Sequence, residues 1–251
     1  MNTTSESRAE SPVDAPVQPT GATSPTRKVL VWDAPVRVFH WLMVFSFAAA
    51  YLTAESERWR LLHVSLGYTM AGLVAFRIVW GLIGTRHARF SDFVRGPAAI
   101  ARYVAGMLRG EPKRHVGHNP LGALAIVALL GLTLAIAASG WAVFNDAGGE
   151  SLEGVHEFAA NAMLAIVGLH VAGVLLASKF GHENLIGAML TGRKIGRPED
   201  SVRSAWRSVA MLMLVAVFGF WWLQWQAPPA GAAMADHVTA PRASHKDRDN
   251  D

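Results

Sequence analysis

The chain has 251 residues, 51% apolar and 17% charged, with a mean hydropathy of +0.24. A soluble domain carries about 25% charged residues, so several membrane spans are expected rather than one soluble core. The net charge of +4 would suit a nucleic-acid binder, but the basic residues sit in short segments between apolar stretches, so no nucleic-acid partner is expected. The absence of cysteine excludes disulfides, iron–sulfur clusters and covalent haem attachment.

Residues 1–27 are rich in Ser, Thr, Pro and Ala and read as a disordered tail without the order of a signal peptide. Five apolar stretches follow, each near the ~20 residues that cross the hydrocarbon core. They run from Val36 to Thr53, Arg60 to Ile83, Pro120 to Phe144, Leu152 to Ser178 and Ala205 to Trp225. Lone strands cannot satisfy their backbone in lipid, so all five are expected to be helices. Asp33 and Pro35 suit the first turn of the first span, and Pro120 that of the third. Between the second and third spans, Gly96 to Gly110 reads as a short amphipathic helix on the membrane surface. The segment after Gln226 reads as a second disordered tail. Trp41, Trp59, Trp80, Trp141, Trp206, Trp221, Trp222 and Trp225 lie near span ends, where an interfacial belt accounts for them.

The expected fold is therefore all-α: a polytopic helical bundle with a four-helix core over residues 28–197 and a further span over 198–226. With the N-terminus cytoplasmic, 17 Lys and Arg fall on the inner side and 5 on the outer, so the C-terminus is expected in the periplasm.

Four of the ten histidines lie within the spans: His40, His63, His156 and His170. A lone imidazole in a span is often a satisfied helix–helix hydrogen bond, but four at matching depths point to chemistry. His40 opens the first span near the inner surface. His63 opens the second, and His156 the fourth, near the outer surface. His170 follows His156 by fourteen residues, about 21 Å and close to four turns, so it returns to the inner depth on the same helix face. The four sort into an outer pair, His63 with His156, and an inner pair, His40 with His170. Two facing helices supplying opposite axial ligands is the arrangement a haem requires. Arg77 lies fourteen residues after His63 and would meet a haem propionate there or else snorkel to the interface. Gly67 and Gly173 could admit a macrocycle, though tight helix packing is the expectation for each. His87, His115, His118 and His182 read as solvated loop histidines, and His237 and His245 belong to the tail.

The motifs VWDAPVRVFHW (Val31 to Trp41), LHVSLGY (Leu62 to Tyr68), FRIVWG (Phe76 to Gly81) and RFSDFVRGP (Arg89 to Pro97) occur in order. GHNP (Gly117 to Pro120), VHEFAAN (Val155 to Asn161), GLH (Gly168 to His170) and HEN (His182 to Asn184) follow them. This ordered set resembles the bacterial cytochrome b561 and nickel-hydrogenase cytochrome b family. The resemblance covers about Lys28 to Arg197. It implies a four-helix core, two non-covalent b haems with His40, His63, His156 and His170 as axial ligands, and electron exchange with a quinone pool. The fifth span and the C-terminal tail depart from the smallest members.

The leading expectation is an inner-membrane di-haem subunit that passes electrons between quinone and a partner. That partner would be a periplasmic c-type cytochrome or a hydrogenase-like membrane oxidoreductase. A self-sufficient superoxide:quinone oxidoreductase is the second reading. A proton-coupled transporter is the third, disfavoured because no polar chain joins the two histidine layers.

Overall fold

The computed structural model describes residues 26–110, 115–181 and 183–226. The two tails expected to be disordered lie almost wholly outside these residues. At the N-terminal boundary the outcome differs, because Arg27 already belongs to a strand.

Five helices are long and apolar enough to cross a membrane, as expected. These are α1 (Ala34–Thr53), α2 (Arg60–Ile83), α5 (Pro120–Phe144), α6 (Gly149–Gly181) and α8 (Arg207–Gln226). The chain is an all-α multi-pass membrane bundle. Three shorter helices lie between them: α3 (Phe90–Phe93), α4 (Pro97–Leu108) and α7 (Leu185–Thr191). Proline and side-chain caps fix the starts. Pro35, Pro97 and Pro120 occupy the first turns of α1, α4 and α5, where a missing N–H costs nothing. Asn119 Oδ1 accepts from Gly122 N at 2.7 Å to open α5. The surface helix expected from Gly96 to Gly110 is α4, which has no buried residue.

The long helices form two antiparallel hairpins. α1 packs along α2, α5 packs along α6, and α2 joins the hairpins through α5. Packing of α6 on α1 and α2 is sparse by comparison. It passes through the Tyr51–Asn161 hydrogen bond of 2.9 Å and a cluster of Phe47, Met70 and Met163. α8 lies against α1 and α2, where Met213 packs with Leu42 and Leu73 and Trp221 Nε1 donates to Thr69 Oγ1 at 2.9 Å.

A feature outside the spans was not expected. β1 (Arg27–Leu30) pairs antiparallel with β2 (Arg193–Gly196), with Arg27 opposite Gly196 and Leu30 opposite Arg193. Gly192 closes α7 with φ of +79° and receives the N–H groups of Val31 and Trp32 on its carbonyl. A Cβ there would sit 2.5 Å from Trp32 O, so this turn admits only glycine. The ribbon forms a cap over the bundle end where α1 begins.

Asp33 holds that end together. Its carboxylate is 1% exposed. Oδ1 accepts from Val36 N at 2.9 Å, which caps α1, while Oδ2 accepts from Trp80 Nε1 at 3.0 Å and Thr85 Oγ1 at 2.7 Å. The start of α1 is thereby pinned to the end of α2. Trp80 is 7% exposed and hydrogen-bonded, and Trp221 also has a partner, so these two are not accounted for by an interfacial belt. Replacing Asp33 by Ala removes the cap and strands the buried Trp80 indole N–H and the half-buried Thr85 hydroxyl. The expected cost is about 3 kcal/mol, read as a lower unfolding temperature in detergent, whereas a surface change such as Glu57→Ala should leave it unmoved.

Candidate haem-binding site

The histidine layers come from the hairpin geometry. α2 starts beside the end of α1, so His63 reaches back to Ala50, and its Nδ1–H donates to that carbonyl at 2.8 Å. α6 starts beside the end of α5, so His156 Nδ1–H donates to Ile136 O at 3.1 Å, with Ser139 Oγ 3.2 Å away. Both imidazoles thus have Nδ1 engaged by a backbone carbonyl, which fixes the tautomer and leaves Nε2 as the lone-pair nitrogen. Their ring centroids lie 6.1 Å apart with planes at 71°. Two imidazoles facing one metal through bonds of about 2 Å put their centroids about 6 Å apart, so this pair fits a bis-imidazole iron site. Gly140 makes room for the ring, because a Cβ there would lie 2.8 Å from His156 Cε1.

The second pair lies at the other end. His40 on α1 and His170 on α6 are within electrostatic reach of one another. His40 packs edge-on against Trp41 at 5.1 Å, and its Nδ1 is buried without a hydrogen-bond partner. Between the layers lies the apolar cluster of Phe47, Met70 and Met163, backed by Leu129, Leu132 and Ile136. Among the described residues, no group of three or more His, Asp or Glu gathers as an all-protein metal site. Twos of histidine suit a metal whose remaining ligands come from a macrocycle.

Arg77 does not snorkel. It is 3% exposed, donates Nη1–H to Ala88 O at 3.0 Å, and lies over the rings of Phe90 at 5.1 Å and Phe93 at 5.9 Å. Asp33 is the carboxylate it feels, but Asp33 spends its oxygens on Val36, Trp80 and Thr85. Gly67 and Gly173 also depart from expectation. A Cβ on either meets nothing within 4 Å, so neither is a tight helix-contact glycine.

Residues 31–192 match the prokaryotic cytochrome b561 family. The chain belongs to this family. Among its curated relatives is a probable Ni/Fe-hydrogenase b-type cytochrome subunit of Rhizobium leguminosarum bv. viciae, 22% identical over 69% of this chain and 92% of that protein. The probable Ni/Fe-hydrogenase 1 b-type cytochrome subunit of Escherichia coli K12 is 24% identical over 46% of this chain and 60% of its own length. The corresponding Azotobacter vinelandii protein is 31% identical over 39% and 51%. No solved structure matches the chain. Family membership makes this cytochrome b561 a membrane electron-transfer protein with haem b.

Two histidines expected to be solvated are not. His87 is 5% exposed, with Nε2 2.8 Å from Asp200 O and Nδ1 3.5 Å from Asp92 Oδ2. His118 is held between Trp32 at 4.4 Å and Phe93 at 4.6 Å. Burial, and then the charges of Arg77, His87, Lys194 and His170, push its pKa down to about 3, so it is neutral at physiological pH. His87 is flanked in sequence by Trp80 and Phe90, whereas His118 lies in a polar run that gave no signal of its burial. His115, against Tyr103 at 5.5 Å, is exposed as expected. His182, His237 and His245 fall outside the described residues.

The Gly140 contact yields a direct test. Gly140→Ala should displace the His156 ring, and a haem held between His63 and His156 would then show partial loss of low-spin absorbance. An unchanged spectrum would mean that the ring has slack the geometry does not indicate.

Proposed function

We propose that this cytochrome b561 binds two b haems, one between His63 and His156 and one between His40 and His170, with Arg77 compensating a propionate of the second. The observation that carries this reading is the His63–His156 pair, with 6.1 Å between centroids and both Nδ1 atoms on backbone carbonyls. When bound, the haems supply one-electron chemistry, and the protein contributes ligation, orientation and charge. His63 and His156 present Nε2 on rings held by Ala50 and Ile136. His40 and His170 form the other layer. α6 carries one histidine of each pair, so a single helix face sets both sites. The apolar cluster of Phe47, Met70 and Met163 supports electron passage over a proton relay, since a relay needs polar groups there.

The electrons pass between membrane quinone and a membrane-bound oxidoreductase of the hydrogenase type, the assembly that the relatives' names suggest. A periplasmic c-type cytochrome would serve as the alternative acceptor. The chain resides in the bacterial inner membrane with its N-terminus cytoplasmic, because 17 Lys and Arg against 5 favour that side. The His63–His156 haem is then the periplasmic one. A reporter fused after Trp225 should appear periplasmic and one inserted at Gly110 cytoplasmic; the reverse labelling would exchange the two haems' sides.

Haem content tests the main reading. The purified protein should yield two pyridine haemochromes per chain, all extractable by acid–acetone, since no cysteine can tether them. His63→Ala and His156→Ala should lose one haem, and His40→Ala and His170→Ala the other, with the remaining low-spin signal intact. A pattern linking His63 with His170 would refute the pairing.

A further inference from the structure

We propose that His118 and Arg77 form a two-point carboxylate site that receives one propionate of the haem held by His40 and His170. This rests on the proposed position of that haem and assigns a role to a histidine that sequence reasoning set aside.

Four observations converge. First, His118 Nδ1 is sealed from solvent and has no hydrogen-bond partner. A buried polar nitrogen left unpaired costs about 1–3 kcal/mol, and in the Nδ1–H tautomer it calls for a group that accepts from it. Second, Trp32 and Phe93 cover the imidazole from 4.4 and 4.6 Å. These contacts restrain its rotation, so its nitrogens have a set direction. Third, Arg77 is buried over the same Phe93, and among the described residues its guanidinium donates to the Ala88 carbonyl alone. Phe90, which lies directly on Gly81, covers it further. Fourth, the groups that act electrostatically on His118 are Arg77, His87, Lys194 and His170, with no carboxylate among the described residues. The nearby acids are committed elsewhere: Asp33 to Trp80 and Thr85, Glu183 to Lys194 at 3.2 Å, and Asp92 to His87 and Arg86.

An imidazole and a buried guanidinium packed on the same Phe93, with no carboxylate paired to either among the described residues, match an incoming carboxylate. The connection to the haem layer is electrostatic: His170 acts on both His118 and His40. A quinone carbonyl would also accept from an imidazole, but it would leave the guanidinium charge uncompensated, so the carboxylate is favoured.

The test separates donor from packing. His118→Phe keeps an aromatic ring between Trp32 and Phe93 and removes Nδ1. His118→Asn places an amide N–H close to the Nδ1 position. Redox titration of the purified holoprotein should show that His118→Phe lowers the midpoint potential of one haem only, the one lost in His40→Ala. A less compensated propionate favours the ferric state, which sets the sign. Release of that haem to apomyoglobin should speed up about tenfold, the loss of one charge-assisted hydrogen bond. His118→Asn should restore both values toward wild type, and Arg77→Gln should act on the same haem. Wild-type potential and release in His118→Phe, or a shift confined to the haem lost in His63→Ala, would overturn the proposal. Loss of the pairing pattern among the four spanning histidines would instead overturn the haem positions on which it rests.

Discussion

An imidazole placed in a membrane span has two nitrogens to satisfy and no water to satisfy them. Here the hairpin ends answer half of that demand. The C-terminal halves of α1 and α5 offer the Ala50 and Ile136 carbonyls to His63 and His156. Each carbonyl sits opposite the start of the following helix because the connections are short. One nitrogen of each ring is thereby spoken for, and the ring centroids of the two lie 6.1 Å apart. The backbone contact acts as a second shell that exists before any cofactor arrives.

The same hairpin logic sets the spacing of the layers. α6 runs for 33 residues, about 50 Å, and carries His156 and His170 on one face. Midway lies Met163, which meets Phe47 of α1 and Met70 of α2. Each of these is seven residues from a histidine of its own helix, so the apolar cluster falls near the midplane. It brings α6 against the first hairpin where neither histidine layer needs room. The sparse packing elsewhere between α6 and α1 or α2 is then a consequence of design rather than poor fit.

What could be read from the sequence depended on how many residues carried each signal. The spans were legible because some twenty apolar residues speak together: α2 and α5 begin and end where the apolar pattern does. Histidine depth was legible because rise per residue is a constant of the helix. The β1–β2 ribbon was not, since four residues such as RKVL and RKIG hold too little alternation to mark a strand. His87 and His118 were misread because loops between spans were taken as wet, whereas Trp32, Phe93 and the ribbon roof this end of the bundle. Trp80 was misread for a related reason. Its position at a span end fits an interfacial belt, and only the fold reveals Asp33 beneath it.

The fifth helix gains a meaning from which helices lack histidine. α5 and α8 carry none. α5 backs α6 along its length, and α8 backs α1 and α2 through Met213, Leu42, Leu73 and the Trp221–Thr69 hydrogen bond. Every helix that presents an imidazole is therefore braced by one that does not. A bis-imidazole site depends on ring positions held to within a fraction of an ångström. A two-helix hairpin facing lipid on its outer side would supply that poorly, because lipid tails give no fixed contacts. Covering the α1–α2 hairpin with α8 replaces fluid neighbours by packed ones on the side away from the histidines. The extra span thus braces the histidine-bearing pair, which is consistent with its starting at Arg207, beyond the family-matched residues 31–192.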